Sequence, residues 1–372
     1  MLWEVSADGT NLHPVLPSWN FAGGSCGGHW TPDGKYLLFD SFKDGFDEIW
    51  AIRERKEFFR TGKSEPIQLT RGPSHFGRPT PSKDGKRIFA DGWKDEPDTL
   101  ARYDSRIGQF VPYLPGVLGD GLDFTHDGKW VVYTAVPEST LWRSRVDGSE
   151  RLQLTFPPMQ VALPRWSPDG KQIAFAGRLP GKLWSIYLVS PEGGVAERMS
   201  LTERAEADPT WSPDGRKLAF SQILGFSDDT SAIYVLDLRS RQVSKVPASD
   251  GRYSPRWSPD GRYLAVMPAD SQKLLLFEFT TEKWSELAQA AVIGYPSWSR
   301  DGKYVYFNTK VGEPAILRVR ISDRNVERVA DLKGVSRVYG LGAWLGLGPD
   351  DSPLILRGTS SDEIYALDWE AP

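Results

Sequence analysis

The sequence predicts an all-β fold: an eight-bladed β-propeller of four-stranded blades. Three observations predict it. The phrase Trp-Ser-Pro-Asp-Gly recurs along the chain, its copies lie 41–51 residues apart, and the intervals hold short strand-like segments with no sustained helical period. A period of that length is shared by helical solenoids, so the contents of each interval decide the type.

The phrase is complete at 166–170, 211–215 and 257–261. Near copies are Trp30-Thr31-Pro32-Asp33-Gly34 and Trp298-Ser299-Arg300-Asp301-Gly302. Weaker copies stand at 81–85 and 124–128, and the last, Leu347-Gly348-Pro349-Asp350-Asp351, has lost its Gly. The marker aspartates are Asp33, Asp84, Asp127, Asp169, Asp214, Asp260, Asp301 and Asp350.

After a marker comes an apolar segment such as Gln172-Ile173-Ala174-Phe175, then a polar loop, then a second segment such as Ile186-Tyr187-Leu188-Val189. A fourth strand often follows, as in Leu152-Gln153-Leu154-Thr155. These segments are short, rich in β-branched and aromatic residues, and bounded by Gly, Pro and Asp. Four such strands per repeat make a propeller blade. In the marker, Pro presets φ for a turn, Asp accepts backbone N–H groups, and Gly supplies the positive φ, so the marker joins the first and second strands of a blade. The Trp three residues before the Asp falls on the first strand. Its regular recurrence assigns Trp30, Trp166, Trp211, Trp257 and Trp298 to packing between blades rather than to a ligand platform.

The whole chain, 1–372, reads as one propeller with blades at 22–72, 73–116, 117–157, 158–203, 204–248, 249–290, 291–333, and 334–372 completed by 1–17. Seven blades is the alternative. The last unit offers three strands, so an N-terminal strand, from 2–5 or 12–16, is expected to complete it and hide two sheet edges. Residues 2–5 read as the remnant of a unit whose first half lies upstream, so a longer parent chain is expected.

Forty-five Lys and Arg against 49 Asp and Glu leave a net charge of −4, without a basic arm. Nucleic-acid binding by this chain alone is therefore not expected, because such binding rests on phosphate neutralisation. No stretch reaches the roughly 18 apolar residues of a membrane span, and no leader is visible at Met1. The single cysteine, Cys26, cannot form an internal disulfide and leaves the compartment, periplasm or cytoplasm, open. A monomer is expected.

These phrases resemble the TolB-type propeller repeat, also called the WD40-like or PD40 repeat, over essentially the whole chain. Segments 141–148, 153–159 and 254–261 resemble the propeller half of bacterial CadC-like winged-helix regulators. The resemblance implies a sensing or docking part of a larger bacterial, regulatory protein. No winged helix precedes the first blade, so DNA binding is not implied for this chain.

Candidate chemistry is sparse. There is no Gly-x-Ser-x-Gly elbow and no region left over for a hydrolase domain. His13, His29, His75 and His126 are scattered, without the spacing of a metal pair. The marker aspartates are spread around a ring instead of converging as a glycosidase pair. The acidic loops at 43–48 and 227–230 lack the ligand spacing of a calcium loop. The glycine-rich loop at 23–28 lacks the Lys-Ser/Thr of a phosphate cradle. No catalytic residue, metal or cofactor is expected, and the chain reads as non-enzymatic. Binding is expected at the channel mouth, on the face of the loops that enter the first strands and join the second to the third. The residues there are His29, Arg78, Asp123, Arg165, Asp208, Arg256, Tyr295 and Tyr339, a mixture suited to a protein or peptide ligand. The alternatives are a hydrolase or lyase using the channel and a purely structural propeller of a fused DNA-binding regulator.

Overall fold

A computed structural model describes residues 3–5, 8–14, 16, 28–43, 46–53, 65–94, 99–199, 204–223, 231–336, 344–358 and 363–370. Their regular elements are all β-strands, in seven four-stranded sheets, one three-stranded sheet and one two-stranded sheet. The eight larger sheets match the expected number of blades. No helix among the described residues is long and apolar enough to cross a membrane.

The marker turns are built as their chemistry requires. Asp169 Oδ1 accepts from Ser167 Oγ (2.7 Å) and from the Lys171 N–H (3.1 Å), while Ser167 Oγ accepts from the Gln172 N–H (2.9 Å). Gly170 closes the turn at φ +70°, a value that costs any other residue strain. The same bonds recur around Asp214, Asp260 and Asp301. Those bonds hold the Asp301 carboxyl down at about 2.

The chain divides into two compact units, Asp98–Gly358 and the remainder, Met1–Pro97 with Thr359–Pro372. In the larger unit, six four-stranded sheets form a closed ring. Blade 1 starts at Gly119–Phe124, blade 2 at Gln160–Trp166, blade 3 at Ala205–Trp211, blade 4 at Arg252–Trp257 and blade 5 at Ile293–Trp298. Each of these five holds four consecutive antiparallel strands. Blade 6 is composite: its inner strands Leu345–Leu347 and Pro353–Arg357 pair with outer strands Thr99–Asp104 and Gln109–Pro112. The innermost strands touch in cyclic order, and Leu345–Leu347 touches those of both blade 5 and blade 1, which closes the ring.

Closure therefore differs from the expectation. Among the described residues, Trp3–Glu4 and His13–Pro14 pair only with each other, and the ring is sealed by 99–112 instead of the N-terminus. The units drawn at 73–116 and at 334–372 with 1–17 are split accordingly. Strands His75–Pro81 and Arg87–Trp93 form a sheet with Glu363–Asp368, while 99–112 joins blade 6. The reason is burial: Leu100 packs with Leu122, Val131 and Leu354, and Ala101 with Ile316 and Ile355. In the smaller unit, Gly28–Trp30, Tyr36–Lys43, Phe46–Arg53 and Ile67–Gln68 make the remaining four-stranded sheet.

Layers of apolar side chains hold adjacent blades together. Ile173 and Phe175 of blade 2 pack against Val132 and Leu141 of blade 1, and Leu218 and Phe220 of blade 3 against Ala174 and Ile186 of blade 2. Ile186 is fully buried, so Ile186→Val is expected to cost about 1 kcal/mol in urea unfolding. The repeat tryptophans of the ring lie in these seams, with Trp166 and Trp211 buried; the Trp211 indole N–H donates to Arg165 O (3.1 Å) and that of Trp298 to Arg256 O (2.9 Å), each across a blade boundary. Trp30 departs from this pattern: it is 43% exposed, on a strand of only three residues.

Candidate functional site

Each first strand of blades 1–5 carries an irregularity in its pairing, at 120/123, 162/165, 207/210, 253/256 and 294/297. At each, one residue takes a positive φ: Gly121, Leu163, Asp208, Ser254 and Tyr295, always six residues before the marker Asp. Bulges of this kind re-aim side chains and cluster at functional rims. Their effect here is to set the residue four before the marker toward the axis. Asp123, Arg165, Thr210, Arg256, Ser297 and Gly346, one from each blade, line a single cavity of about 540 Å³. That volume lies within the usual range for ligand pockets, roughly 300–1,000 Å³.

The next ring outward is Phe124, Trp166, Trp211, Trp257, Trp298 and Leu347, and the rim includes His126, Pro168, Pro213, Pro259 and Arg300 of the marker turns. The cavity thus sits at the Pro-Asp-Gly end of the inner strands, not at the end where the chain enters them. The expected face is corrected on this point, because the bulges carry the polar side chains into the channel and leave the marker turns as the rim.

Five of the eight anticipated residues meet inside this ring. The Trp166 N–H donates to Asp123 Oδ2 (2.6 Å). Asp208 accepts from Ser254 Oγ (2.6 Å), and its Oδ1 lies 2.7 Å from Arg256 Nη1 and 3.9 Å from Arg165 Nη2. The first of those ion pairs is close but poorly aligned: Asp208 Oδ1 and Arg256 Nε are both buried without a hydrogen bond. Arg165 and Arg256 each also donate through Nη1 to the carbonyl of the preceding proline, at 2.8 Å. Tyr295 is half-buried beside them, and burial pushes its hydroxyl upward, as do the Asp208 and Asp120 charges.

Burial also dominates the charges. It raises the Asp123 carboxyl against the opposing pull of Arg165 and the Trp166 amide. It lowers Arg165, and the neighbouring Arg256 guanidinium lowers it further, while Asp123 and Asp208 oppose the shift. Asp120, which the sequence reading missed, is raised to about 6 by burial alone. A folded-state value above the unfolded 3.8 means that the protonated form is favoured by folding. Stability is therefore highest below pH 4 as far as this group is concerned, and is lost as pH rises through about 6. The full shift would correspond to about 3 kcal/mol, and partial solvent access reduces this to about 1–2 kcal/mol. Asp120→Asn is expected to gain that amount at pH 7.5 and nothing at pH 4, as read by denaturant unfolding at the two pH values.

Three anticipated residues remain. His29 and Arg78 belong to the smaller unit; His29 is exposed, and Arg78 Nε pairs with Asp91 Oδ2 at 2.5 Å. Tyr339 lies outside the described residues.

The rim has an asymmetry. The marker is irregular at three places, His126 and Arg300 in place of Pro, and Asp351 in place of Gly, and the three meet. Arg300 Nη1 donates to His126 O (2.7 Å) and Nη2 to Thr125 O (3.3 Å), while its backbone N–H donates to Asp351 Oδ1 (3.0 Å). This strap ties blade 5 to blade 1 over the composite blade 6.

Residues 209–338 match the TolB beta propeller domain family. The fold is a TolB-like β-propeller. An uncharacterized protein of Agrobacterium fabrum is 28% identical, over 40% of this chain and 64% of its own; the chain thus spans about two-thirds of the curated relative it matches. Among solved structures, a protein assigned as TolB from Agrobacterium tumefaciens superimposes with a TM-score of 0.55 at 18% identity, covering 72% of this chain and 98% of its own. An oligogalacturonate lyase in complex with manganese gives a TM-score of 0.47 at 18% identity, covering 79% and 88%. At such identities the likeness to solved structures is one of fold, and function rests on the site.

Proposed function

We propose that this chain is a non-enzymatic TolB-like propeller that holds an extended peptide segment of a partner protein in the funnel at the Pro-Asp-Gly end of its ring. One observation carries the reading: six equivalent positions, one per blade, converge on a single cavity with a charged floor and a Trp- and Pro-rich wall. Aromatic walls around a few placed polar groups suit a peptide ligand. The floor groups are occupied in holding one another, Asp123 by the Trp166 amide and Asp208 by Ser254 and Arg256, which favours binding over proton transfer. In this reading the propeller is the docking part of a larger protein, as the resemblance to regulator propellers implies.

The test is selection of random octapeptides by the whole chain, repeated with Ser297→Tyr. Ser297 lines the funnel and is half-buried, so a tyrosine there fills space with little demand on the core. Binders enriched by the native chain and lost in the variant support the reading; equal enrichment by both overturns it. A second reading, a channel enzyme, draws on Asp120, whose carboxyl titrates near 6 in the same ring. Loss of a turnover activity in Asp120→Asn with peptide binding intact would favour it.

A further inference from the structure

We propose that the ligand of this funnel presents a carboxylate, received by the Arg165 and Arg256 guanidiniums at the cavity floor. The inference rests on the peptide-docking reading above and narrows its chemistry.

Hydrogen-bond accounting at the floor supports it. Each guanidinium carries five N–H donors in a fixed fork and no acceptor. Arg165 donates through Nη1 to Pro164 O, and its Nη2 stands 3.9 Å from Asp208, beyond hydrogen-bond reach. Arg256 donates through Nη1 to Pro255 O, approaches Asp208 without alignment, and keeps a buried Nε without an acceptor. Asp208 is shared between both arginines and also serves Ser254, and Asp123 is committed to the Trp166 N–H. Donors therefore outnumber aligned acceptors around two cations that stand in the ring with one blade between them and share Asp208 Oδ1, which itself accepts no hydrogen bond. A carboxylate supplies two oxygens with four acceptor sites and matches the guanidinium fork in a plane, which an amide or hydroxyl does not. At the same level Thr210 stands between the arginines in ring order and Ser297 beyond Arg256, both small, which leaves room for such a group on that side, while Asp123 stands beyond Arg165.

The carboxylate has two sources, a peptide C-terminus and an Asp or Glu side chain, and the experiment separates them. Four octapeptide libraries are presented to the whole chain, with and without Asp and Glu, each with free and with amidated C-termini. Enrichment confined to free C-termini assigns the terminal group, and enrichment confined to Asp- and Glu-containing peptides assigns the side chain. Either result supports the proposal. Equal affinity for amidated peptides lacking Asp and Glu overturns it while leaving the docking reading in place; no enrichment from any library overturns both. A second variant, Ser297→Glu, sets a carboxylate of the chain's own beside Arg256. It is expected to weaken carboxylate-bearing binders at least tenfold, with thermal unfolding confirming the fold. Unchanged affinity in that variant also counts against the proposal.

Discussion

A chain cut to residues 98–358 is expected to fold by itself, with one cooperative thermal transition and the tryptophan fluorescence of buried indoles. The ring needs nothing outside that span to close, because its sixth blade takes all four strands from within it. A cut made 15 residues later, at 113, is expected to fail. It removes Thr99–Asp104 and Gln109–Pro112, which strips Leu100 from its cluster and leaves Leu354, Ile355 and Leu356 on an open sheet edge. Truncating a single buried leucine costs about 2–5 kcal/mol, and a domain holds about 5–15 kcal/mol in all, so losing both strands leaves no folded margin. Circular dichroism and size-exclusion chromatography of the two fragments decide the matter. Equal behaviour of both would show that the composite blade does not seal the ring.

Removing the shared anion of the floor is expected to have the next largest effect. Asp208→Ala leaves the Arg256 charge, 94% buried, without its carboxylate, a situation that costs about 3–5 kcal/mol. Alanine also sits poorly at φ +59°, where Asn and Asp are better tolerated. Asp208→Asn is therefore expected to lose less, since it keeps the backbone preference and an acceptor for Ser254. The double variant Asp208→Ala with Arg256→Met is expected to recover most of the loss, because it removes the stranded charge as well as its partner. Denaturant unfolding of the native chain, Asp208→Ala, Arg256→Met and the double variant forms a double-mutant cycle. Additive losses in that cycle would mean that the two groups are not energetically paired.

The marker turns were legible because every interaction that defines them spans five residues or fewer. Ser167, Asp169 and Gly170 name their own partners. The composite blade was not legible for the opposite reason. Residues 75–112 hold four strands in a row and read locally as a complete blade, whereas the pairing of Thr99–Asp104 with Pro353–Arg357 joins segments some 250 residues apart. Nothing in a local pattern says that the chain leaves one sheet after Trp93. At the site, Asp123, Arg165 and Arg256 were found as charged residues at or just before a first strand, and each stands four residues before a marker. Thr210, Ser297 and Gly346 occupy the same position and were passed over because their residue types announce no chemistry. Aligning the repeats on their aspartates would have found them, and would have set His126, Arg300 and Asp351 apart as the broken markers of the ring, with Lys83 the fourth in the chain. The bulge that turns Asp208 and Tyr295 was hidden, since only backbone geometry shows a positive φ at such residues.

Blade 6 also decides how the ring responds to tension. Thr99 stands directly opposite Arg357, so the polypeptide arrives at and departs from the ring at the same end of one strand pair. Force applied through the two flanking segments peels that pair apart bond by bond, like a zipper drawn from its open end, instead of shearing all its bonds together. Under load the propeller yields first at its composite blade, while blades 2–5 stay intact.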